Sequence, residues 1–214
     1  MRTLLLVPTA MERRQIEQSI DGLPDQWSIE TIGFGVIAAA IRTTELIQKR
    51  HPERIIVIGI AGLFPVDDPQ HQVGTATWFD EVTIDGIGIG QGDDYQSAFE
   101  LGWQWLDGDS RDGTTLRVMP GPDAHSDSQA APRQLLTVCA ASANPAEAAL
   151  RKSRFPNSLG EDMESFSVAL AANRAGIPIQ ILRGFSNPVG RRDKQEWQIE
   201  NALTSVATQL RQVT

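Results

Sequence analysis

Short apolar runs alternate with longer amphipathic segments along most of the chain. The runs at residues 4–7, 54–60 and 177–182 are apolar at nearly every position, which is typical of strands buried on both faces of a parallel sheet. The spacing of apolar residues predicts amphipathic helices in several other segments, namely 10–20, 36–48, 145–153, 163–175 and 194–212. The pattern therefore predicts an α/β protein.

The remaining segments complete the predicted architecture. We expect further strands at residues 27–32, 115–119 and 135–140, and one or two antiparallel strands within the alternating stretch 73–90. A short helix is predicted at 98–106, with loops at 107–113 and 120–131. The order of elements predicts a single domain over residues 1–214, built as a three-layer α-β-α sandwich around a central mixed, partly barrel-like sheet.

Composition and charge restrict the classes of function. The chain has 214 residues, of which 41% are hydrophobic and 21% charged, and these values are ordinary for a soluble globular protein. Its net charge of −8 argues against nucleic acid or an anionic membrane as a partner. Cys139 is the only cysteine, so no intramolecular disulfide can form. Because the apolar run at residues 3–7 is also too short for a secretory signal, we expect a cytoplasmic protein.

Motifs for metals and nucleotide cofactors are absent from the sequence. The two glycines within residues 33–35 lack the third glycine of a dinucleotide fingerprint, so we interpret them as a tight turn between a strand and a helix. His51, His71 and His125 are not at metal-ligand spacing. No G-x-S-x-G, Walker A or H-E-x-x-H motif occurs. The sequence therefore predicts neither a metal site nor a cofactor.

Three polar residues stand where chemistry is expected in an α/β protein. Glu164 lies at a predicted helix start, and Arg183 and Asn187 lie in a predicted glycine-rich polar loop that follows a buried strand. Open α/β sheets bind ligands at the carboxyl ends of their strands. Each residue also has an ordinary structural explanation. The helix dipole would stabilise a negative charge at Glu164, although Asp162 is the more obvious residue for that role. Arg183 could form an ion pair with Glu164 at the strand end, and Asn187 favours a turn before Pro188.

The stretch around these residues resembles a known family. Met163-Glu164, a helix of small residues, a strand and then Arg183-Gly184-Phe185-Ser186-Asn187 are similar to the pattern of the purine nucleoside phosphorylase and nucleosidase superfamily. The continuation over residues 186–193, followed by Trp197, resembles one branch of it, the futalosine hydrolases of menaquinone biosynthesis. The resemblance implies the nucleoside phosphorylase fold and cofactor-free cleavage of an N-glycosidic bond in a purine nucleoside. It also implies a homodimer or larger homo-oligomer in which a neighbour often closes the pocket.

The resemblance assigns roles to individual residues. Glu164 would bind the ribose hydroxyls and stabilise positive charge on the sugar, and Arg183 would orient the attacking water. Further residues are expected to bind the substrate: Phe34 near the ribose, Met163 beside Glu164, Ala61 and Gly62 where backbone amides approach the ligand, Ala141 and Ser142 beside the purine, and Arg192 opposite a substrate carboxylate. Arg192 could instead pair with Asp193, and Trp197 either packs on an aromatic ring of the substrate or lies in the core.

Glu12 has two competing explanations. Thr9 is a suitable N-cap for the first helix, and Glu12 at the third helical position would complete a capping box. Related nucleosidases carry A-M-E-x-E at this point, and the last glutamate helps to activate water. Arg14 occupies that position here. Either Glu12 takes over the catalytic task or this site handles water differently.

Asn187 stands where adenosine-type nucleosidases carry aspartate. An adenine protonated at N7 presents two donors, which a carboxylate accepts, whereas hypoxanthine protonated at N7 presents a donor beside the O6 acceptor. An amide matches the second pattern, so Asn187 predicts a 6-oxopurine such as the base of futalosine, although asparagine can also bind neutral adenine. No arginine lies near residues 60–64, where related phosphorylases offer polar side chains to phosphate. That absence favours water as the acceptor.

Two other functions stay open from the sequence. One is a nucleosidase or phosphorylase that acts on methylthioadenosine, S-adenosylhomocysteine or inosine. The other is a non-catalytic nucleoside-binding protein, which Arg14 at the usual glutamate position keeps in consideration.

Overall fold

A computed structural model describes residues 1–20, 22–98, 100–105, 115–122 and 131–213. The strands are β1 (Thr3–Val7), β2 (Trp27–Thr31), β3 (Arg54–Leu63), β4 (Ala76–Phe79), β5 (Glu81–Asp85), β6 (Gly88–Ile89), β7 (Gln96–Ser97), β8 (Thr115–Arg117), β9 (Gln134–Val138), β10 (Ser158–Asp162) and β11 (Ile179–Pro188). The α-helices are α1 (Ala10–Ser19), α2 (Gly35–Arg50), α3 (Pro145–Arg154), α4 (Ser165–Arg174) and α5 (Ile199–Leu210). Short 3₁₀ turns occur at Gly92–Asp94 and Lys194–Glu196.

The main sheet is mixed and branches at β3. Its strand order is β2-β1-β3-β10-β9-β5-β8, and β11 pairs with both β3 and β4. β3 pairs in parallel with β1 and β11 but antiparallel with β10. The first part of β3 lies beside β1 and its last two residues lie beside β10, so β3 changes neighbour along its length. Residues at or just after the ends of β1, β3, β9, β10 and β11 lie together on one side of the molecule.

Helices cover both faces of the sheet. Leu4 and Leu6 of β1 pack in one core cluster with residues of α2 and α4. Leu5 and Val7, which point to the opposite face, pack in a second cluster with residues of α1 and α5. Successive side chains of a strand alternate between faces, so a run that is apolar throughout is buried on both sides. The predicted three-layer α/β architecture with a mixed sheet is confirmed.

The predicted helix at residues 98–106 is wrong in its described part. Residues 98 and 100–102 form a turn instead, and residues 103–105 are irregular. Ala98, Leu101 and Trp105 have helical spacing, but Gly102 adopts a positive φ of 73°, which ends a right-handed helix. Trp105 still contributes to the core, where its ring meets Phe166 edge to face at 5.7 Å.

Three elements in the last third of the chain also differ from expectation. The segment after residue 182, expected as a loop, continues β11 to Pro188. β10 was not predicted, because its five buried residues include polar ones that give no apolar run. The last helix begins at Ile199 rather than at residue 194, since the residues before it form a 3₁₀ turn.

Two predicted loops, residues 107–113 and most of 120–131, lie outside the described residues. None of the helices in the described ranges is long and apolar enough to cross a lipid bilayer.

Candidate active site

A cavity of about 210 Å³ lies at the carboxyl ends of β1, β3, β9, β10 and β11. Its position follows the rule that α/β sheets bind ligands where their strands end. The cavity brings together every predicted site residue except Arg183: Glu12, Phe34, Ala61, Gly62, Ala141, Ser142, Met163, Glu164, Asn187 and Arg192. Residues that are far apart in the chain therefore share one site.

Arg183 lies beneath the cavity rather than in its wall. Its side chain is fully buried, and its Nη2 donates to Oδ2 of Asp162 at 2.6 Å and to the hydroxyl of Ser165 at 3.0 Å. The same Nη2 is 3.7 Å from Oε2 of Glu164. Arg183 thus supports the carboxylates of the site from below, and the ion pair considered from the sequence goes mainly to Asp162.

Gly59 of β3 provides the space for this arrangement. A Cβ at this position would lie 2.4 Å from Nη1 of Arg183 and 2.7 Å from Oε1 of Glu12. Both distances are too short for any side chain. The close approach of an arginine and a glutamate therefore requires glycine here.

Glu164 precedes α4 and is almost completely buried. Its Oε1 accepts a hydrogen bond of 2.9 Å from the backbone N–H of Gly35, the first residue of α2. Burial raises the pKa of Glu164 to about 7, and the charges of Asp162 and, more weakly, Glu12 act in the same direction. Arg183 and the Gly35 N–H lower this pKa but do not cancel the burial. The carboxyl group therefore changes charge near neutral pH.

Asp162, not Glu164, caps the N-terminus of α4. Oδ2 of Asp162 accepts from the N–H of Ser165 at 3.0 Å, whereas Glu164 makes no side-chain cap. The alternative role of Glu164 as a partner of the helix dipole thus falls mainly to Asp162. Glu164 is left facing the cavity.

Glu12 joins α1 to β3 at the cavity floor. The predicted N-cap is confirmed, because the hydroxyl of Thr9 accepts from the Glu12 N–H. The carboxylate of Glu12 does not complete the capping box. Its oxygens accept instead from the N–H of Ile60 at 3.0 Å and from the Thr9 hydroxyl at 2.5 Å. Arg14 is exposed, about two helical positions and hence roughly 200° further round α1, and does not line the cavity.

A bulge in β11 aims Asn187 into the cavity. Phe185 lies opposite Ala61, yet Asn187 lies opposite the next residue, Gly62, so Ser186 is the extra residue of a β-bulge. In a regular strand Ser186 and Asn187 would face opposite sides, but here both line the cavity.

The amide of Asn187 is held in a defined orientation. Its Nδ2 donates to the carbonyls of Pro188 at 2.9 Å and Arg191 at 3.3 Å, and its Oδ1 accepts from the Ser186 hydroxyl at 2.8 Å. Both amide hydrogens are thus engaged, while Oδ1 keeps capacity for a second hydrogen bond.

A network of polar side chains supports the cavity wall beside Ala141, and no pattern in the sequence indicates it. Glu161 accepts from the Ser142 N–H at 2.8 Å and from the Ser142 hydroxyl at 2.7 Å. Arg151 reaches over from α3 to donate to Glu161, Ser142 and Asp85. These contacts fix the turn after β9, on which Ala141 and Ser142 line the cavity.

Arg192 and Trp197 form one side of the cavity mouth. The guanidinium carbon of Arg192 lies 5.1 Å from the centre of the Trp197 ring, within the range of a cation–π contact. Nε1 of Trp197 donates to the carbonyl of Arg191 at 3.1 Å. Trp197 therefore lines the site instead of lying in the core, and it holds Arg192 at the rim.

The described residues contain no group of three or more His, Cys, Asp or Glu side chains arranged to hold a metal ion. The site combines the carboxylates of Glu12 and Glu164, the amide of Asn187 on β11 and the guanidinium of Arg192 at the mouth of the cavity. Such a set can stabilise a cationic intermediate and accept a proton, which are the tasks of glycosidic bond cleavage.

Comparisons with known proteins identify the family of the chain. The sequence model of the phosphorylase superfamily matches residues 25–214. The chain is 32% identical over 192 residues to futalosine hydrolase of Streptomyces coelicolor, an alignment that covers 86% of this chain and 77% of that protein. It is 27% identical over 194 residues to futalosine hydrolase of Thermus thermophilus, with 85% and 78% covered.

Solved structures share the fold at low sequence identity. The native futalosine hydrolase of Helicobacter pylori superposes with a TM-score of 0.69 at 13% identity, covering 98% of this chain and 95% of that one. The 5′-methylthioadenosine/S-adenosylhomocysteine nucleosidase of Neisseria meningitidis, in complex with methylthio-immucillin-A, gives 0.71 at 15% identity, covering 98% and 97%. The predicted nucleoside phosphorylase fold is confirmed. The chain belongs to the phosphorylase superfamily and, within it, to the family of its futalosine hydrolase relatives.

Proposed function

We propose that this chain is a futalosine hydrolase, which uses water to cleave the N-glycosidic bond of futalosine and releases hypoxanthine and dehypoxanthine futalosine in menaquinone biosynthesis. The observation that carries the proposal is the single cavity in which Glu164 and Asn187 meet. The curated relatives with this name support the choice of substrate. Release of hypoxanthine from futalosine by the purified chain tests it.

Glu164 is proposed to stabilise the sugar as it becomes cationic. Glycosidic transition states resemble an oxocarbenium ion, so a carboxylate beside the sugar lowers the barrier. Only the ionised form of Glu164 can do this. Burial raises the pKa of Glu164 to about 7. The positive charge that develops on the neighbouring sugar acts in the opposite direction and favours the ionised form of Glu164.

Glu12 is proposed to activate the attacking water. It is buried, lines the cavity and is held by Ile60 and Thr9. Arg14, at the family's usual glutamate position, is on the exposed side of α1. Among the described residues that line the cavity, Arg192 is the only cation, and it stands at the mouth. This scarcity of positive charge supports water rather than phosphate as the acceptor.

Asn187 is proposed to receive the departing base. Its Oδ1 can accept the N7 proton of a leaving hypoxanthine while it keeps the bond from Ser186. The bond from Nδ2 to the carbonyl of Arg191 is the longer of the two that Nδ2 makes. We propose that O6 of the base takes over this hydrogen when the substrate binds. Arg192 would then pair with the substrate carboxylate at the mouth.

Replacing Asn187 by aspartate is expected to change base selectivity. A carboxylate would repel O6 and lose at least one hydrogen bond, which costs roughly 1–3 kcal/mol in kcat/KM for futalosine. The same carboxylate accepts both donors of a 6-aminopurine protonated at N7. The measurement is the ratio of kcat/KM for futalosine to that for methylthioadenosine.

The ratio is expected to fall at least about tenfold in Asn187→Asp, since about 1.4 kcal/mol corresponds to a factor of ten. The variant also places a carboxylate near the carbonyls of Pro188 and Arg191, which lowers stability. A ratio of two substrates on one preparation is insensitive to the folded fraction. An unchanged ratio would show that Asn187 does not read the base.

A second copy of the chain is proposed to cover the rim of the cavity. Phe34, Ile37 and Ile41 lie on one side of the α2 region and are 68%, 73% and 59% exposed. Exposed apolar stripes of this kind mark interfaces, and Phe34 also lines the cavity. We therefore propose a homodimer or larger homo-oligomer, acting in the cytoplasm, in which a neighbour closes the pocket.

Changing Ile37 to glutamate tests this interface. A buried charge at the centre of the stripe is expected to turn the oligomer into monomers in light scattering and to raise KM, because the pocket is left open. Thr204→Glu adds the same charge at an exposed position of α5, on the opposite face of the sheet, and serves as the control. A monomeric wild-type protein, or an Ile37→Glu oligomer of unchanged size, would contradict the proposed interface.

A further inference from the structure

Asp162 and Arg183 form the most deeply buried ion pair of the described residues that line or support the site. Both side chains have zero exposure, and Nη2 of Arg183 is 2.6 Å from Oδ2 of Asp162. Glu164 is 3.7 Å from the same nitrogen. The Arg183 guanidinium thus contacts two carboxylates unequally, and Asp162 has the shorter contact.

Three elements hold Asp162 in place. Thr137 of β9 donates its hydroxyl hydrogen to Oδ1 at 2.6 Å, the Ser165 N–H of α4 donates to Oδ2 at 3.0 Å, and Arg183 of β11 donates to the same oxygen. Ser165 also accepts two hydrogen bonds from Arg183. The pair is therefore fixed by hydrogen bonds that do not involve Glu164.

The groups around Glu164 shift its pKa in opposite directions. Asp162 on β10 and Glu12 on α1 are like charges, whereas Arg183 on β11 and the Gly35 N–H at the start of α2 favour its ionised form. Nη1 of Arg183 has no hydrogen-bond partner among the described residues. The arginine thus keeps an unused N–H while its Nη2 stays with Asp162.

We propose that Asp162 is a positioning residue that keeps the Arg183 guanidinium from pairing fully with Glu164, so that the Glu164 carboxylate remains available to the cationic sugar. A carboxylate that is neutralised by a close arginine contributes less field at the sugar than one with a distant partner. This inference rests on the proposed function for its catalytic meaning, but the electrostatic arrangement can be tested without a substrate.

The test is the titration of Glu164 by carbon-13 NMR of glutamate carboxyl groups, with its resonance assigned by its absence from Glu164→Gln. In the wild-type protein the midpoint is expected near pH 7, in line with the pKa of about 7 that burial imposes. In Asp162→Asn the like charge is gone and Arg183 can turn to Glu164. Both changes favour ionisation, so the midpoint is expected to fall by at least about one pH unit.

Asp162→Ser is the second variant, because its hydroxyl can still accept the Ser165 N–H if the asparagine variant does not fold. Asp80→Asn is the matched control. Asp80 is bonded to Arg133 and does not line the cavity, so the Glu164 midpoint should not move. An unchanged midpoint in folded Asp162→Asn or Asp162→Ser would overturn the proposal.

Kinetics separate this inference from the proposed function. The acid limb of kcat/KM for futalosine is expected to shift to lower pH in Asp162→Asn together with the NMR midpoint, and the plateau of kcat to fall. If the wild-type protein does not cleave futalosine, the proposed function fails while the NMR test still decides the arrangement. If the NMR midpoint of Glu164 shifts in Asp162→Asn but the acid limb of kcat/KM does not, the proposed link between Asp162 and catalysis is contradicted.

Discussion

Replacing Glu164 by glutamine is expected to lower kcat for futalosine by about 10²–10³-fold, because the amide cannot stabilise a cationic sugar as a carboxylate does. The amide oxygen can still accept the Gly35 N–H, so the local structure should persist and KM should change little. In the wild-type protein, kcat/KM is expected to fall as the pH drops below about 7, where Glu164 becomes protonated. The glutamine variant should lack this acid limb.

The same substitution is expected to stabilise the protein at high pH. The pKa of Glu164 is raised from 4.5 to about 7 in the folded state. The folded state therefore binds the proton more tightly than the unfolded state does. This contribution to stability is fully present below pH 4.5 and is lost as the pH rises towards and through about 7. Above pH 7, Glu164→Gln should be more stable than wild type by up to about 3 kcal/mol.

Thermal or urea unfolding at pH 4.5 and pH 8 measures this effect. The difference between variant and wild type should be small at the lower pH and large at the higher one. Glu45→Gln makes the same chemical change on the exposed face of α2 and should show neither effect. A Glu164→Gln protein with full activity, or with no added stability at pH 8, would exclude the proposed role of Glu164 as a buried catalytic carboxylate with a raised pKa.

Replacing Glu12 by glutamine is expected to lower kcat by about 10²–10⁴-fold through loss of a general base. The amide can accept from the Ile60 N–H and donate to the Thr9 hydroxyl, the two groups that hold the carboxylate. The fold should therefore be retained, and unfolding curves check this. Steady-state kinetics with futalosine measure the catalytic effect.

Arg14→Ala is the matched control for Glu12, since Arg14 is exposed on another side of α1. This variant should keep wild-type kinetics. A large loss in Arg14→Ala, or a Glu12→Gln protein within about threefold of wild-type kcat, would mean that Glu12 only joins α1 to β3. A threefold change corresponds to about 0.6 kcal/mol, which is far below the contribution of a general base.

The sequence predicted the layers of the fold because burial on two faces leaves continuous apolar runs. β1 and β3 are of this kind, and their alternate side chains fill two separate core clusters. The sequence does not predict β10, because Glu161 and Asp162 are polar residues that are buried with hydrogen-bond partners and so add nothing to an apolar pattern. The polar, glycine-containing end of β11 predicts a loop, but in the structure it stays paired with β3 across a bulge at Ser186.

The site was predicted as a set of residues but not as a geometry. The strand-end rule and the family motif identified ten residues that share the cavity, whereas Arg183 lies below it. The bond from Gly35 to Glu164 joins positions 129 apart in the chain, and no local pattern encodes such a pairing. Arg183 is likewise shared unequally between Asp162, at 2.6 Å, and Glu164, at 3.7 Å. Only the folded chain defines this difference between the two contact distances.

The most direct measurement is the release of free base by the purified chain from futalosine, inosine and methylthioadenosine, each with and without inorganic phosphate. We expect hypoxanthine to be released from futalosine at a rate that phosphate does not change, and the other two nucleosides to be turned over more slowly. Faster release of adenine from methylthioadenosine, a requirement for phosphate, or binding of futalosine without cleavage would contradict the proposed function.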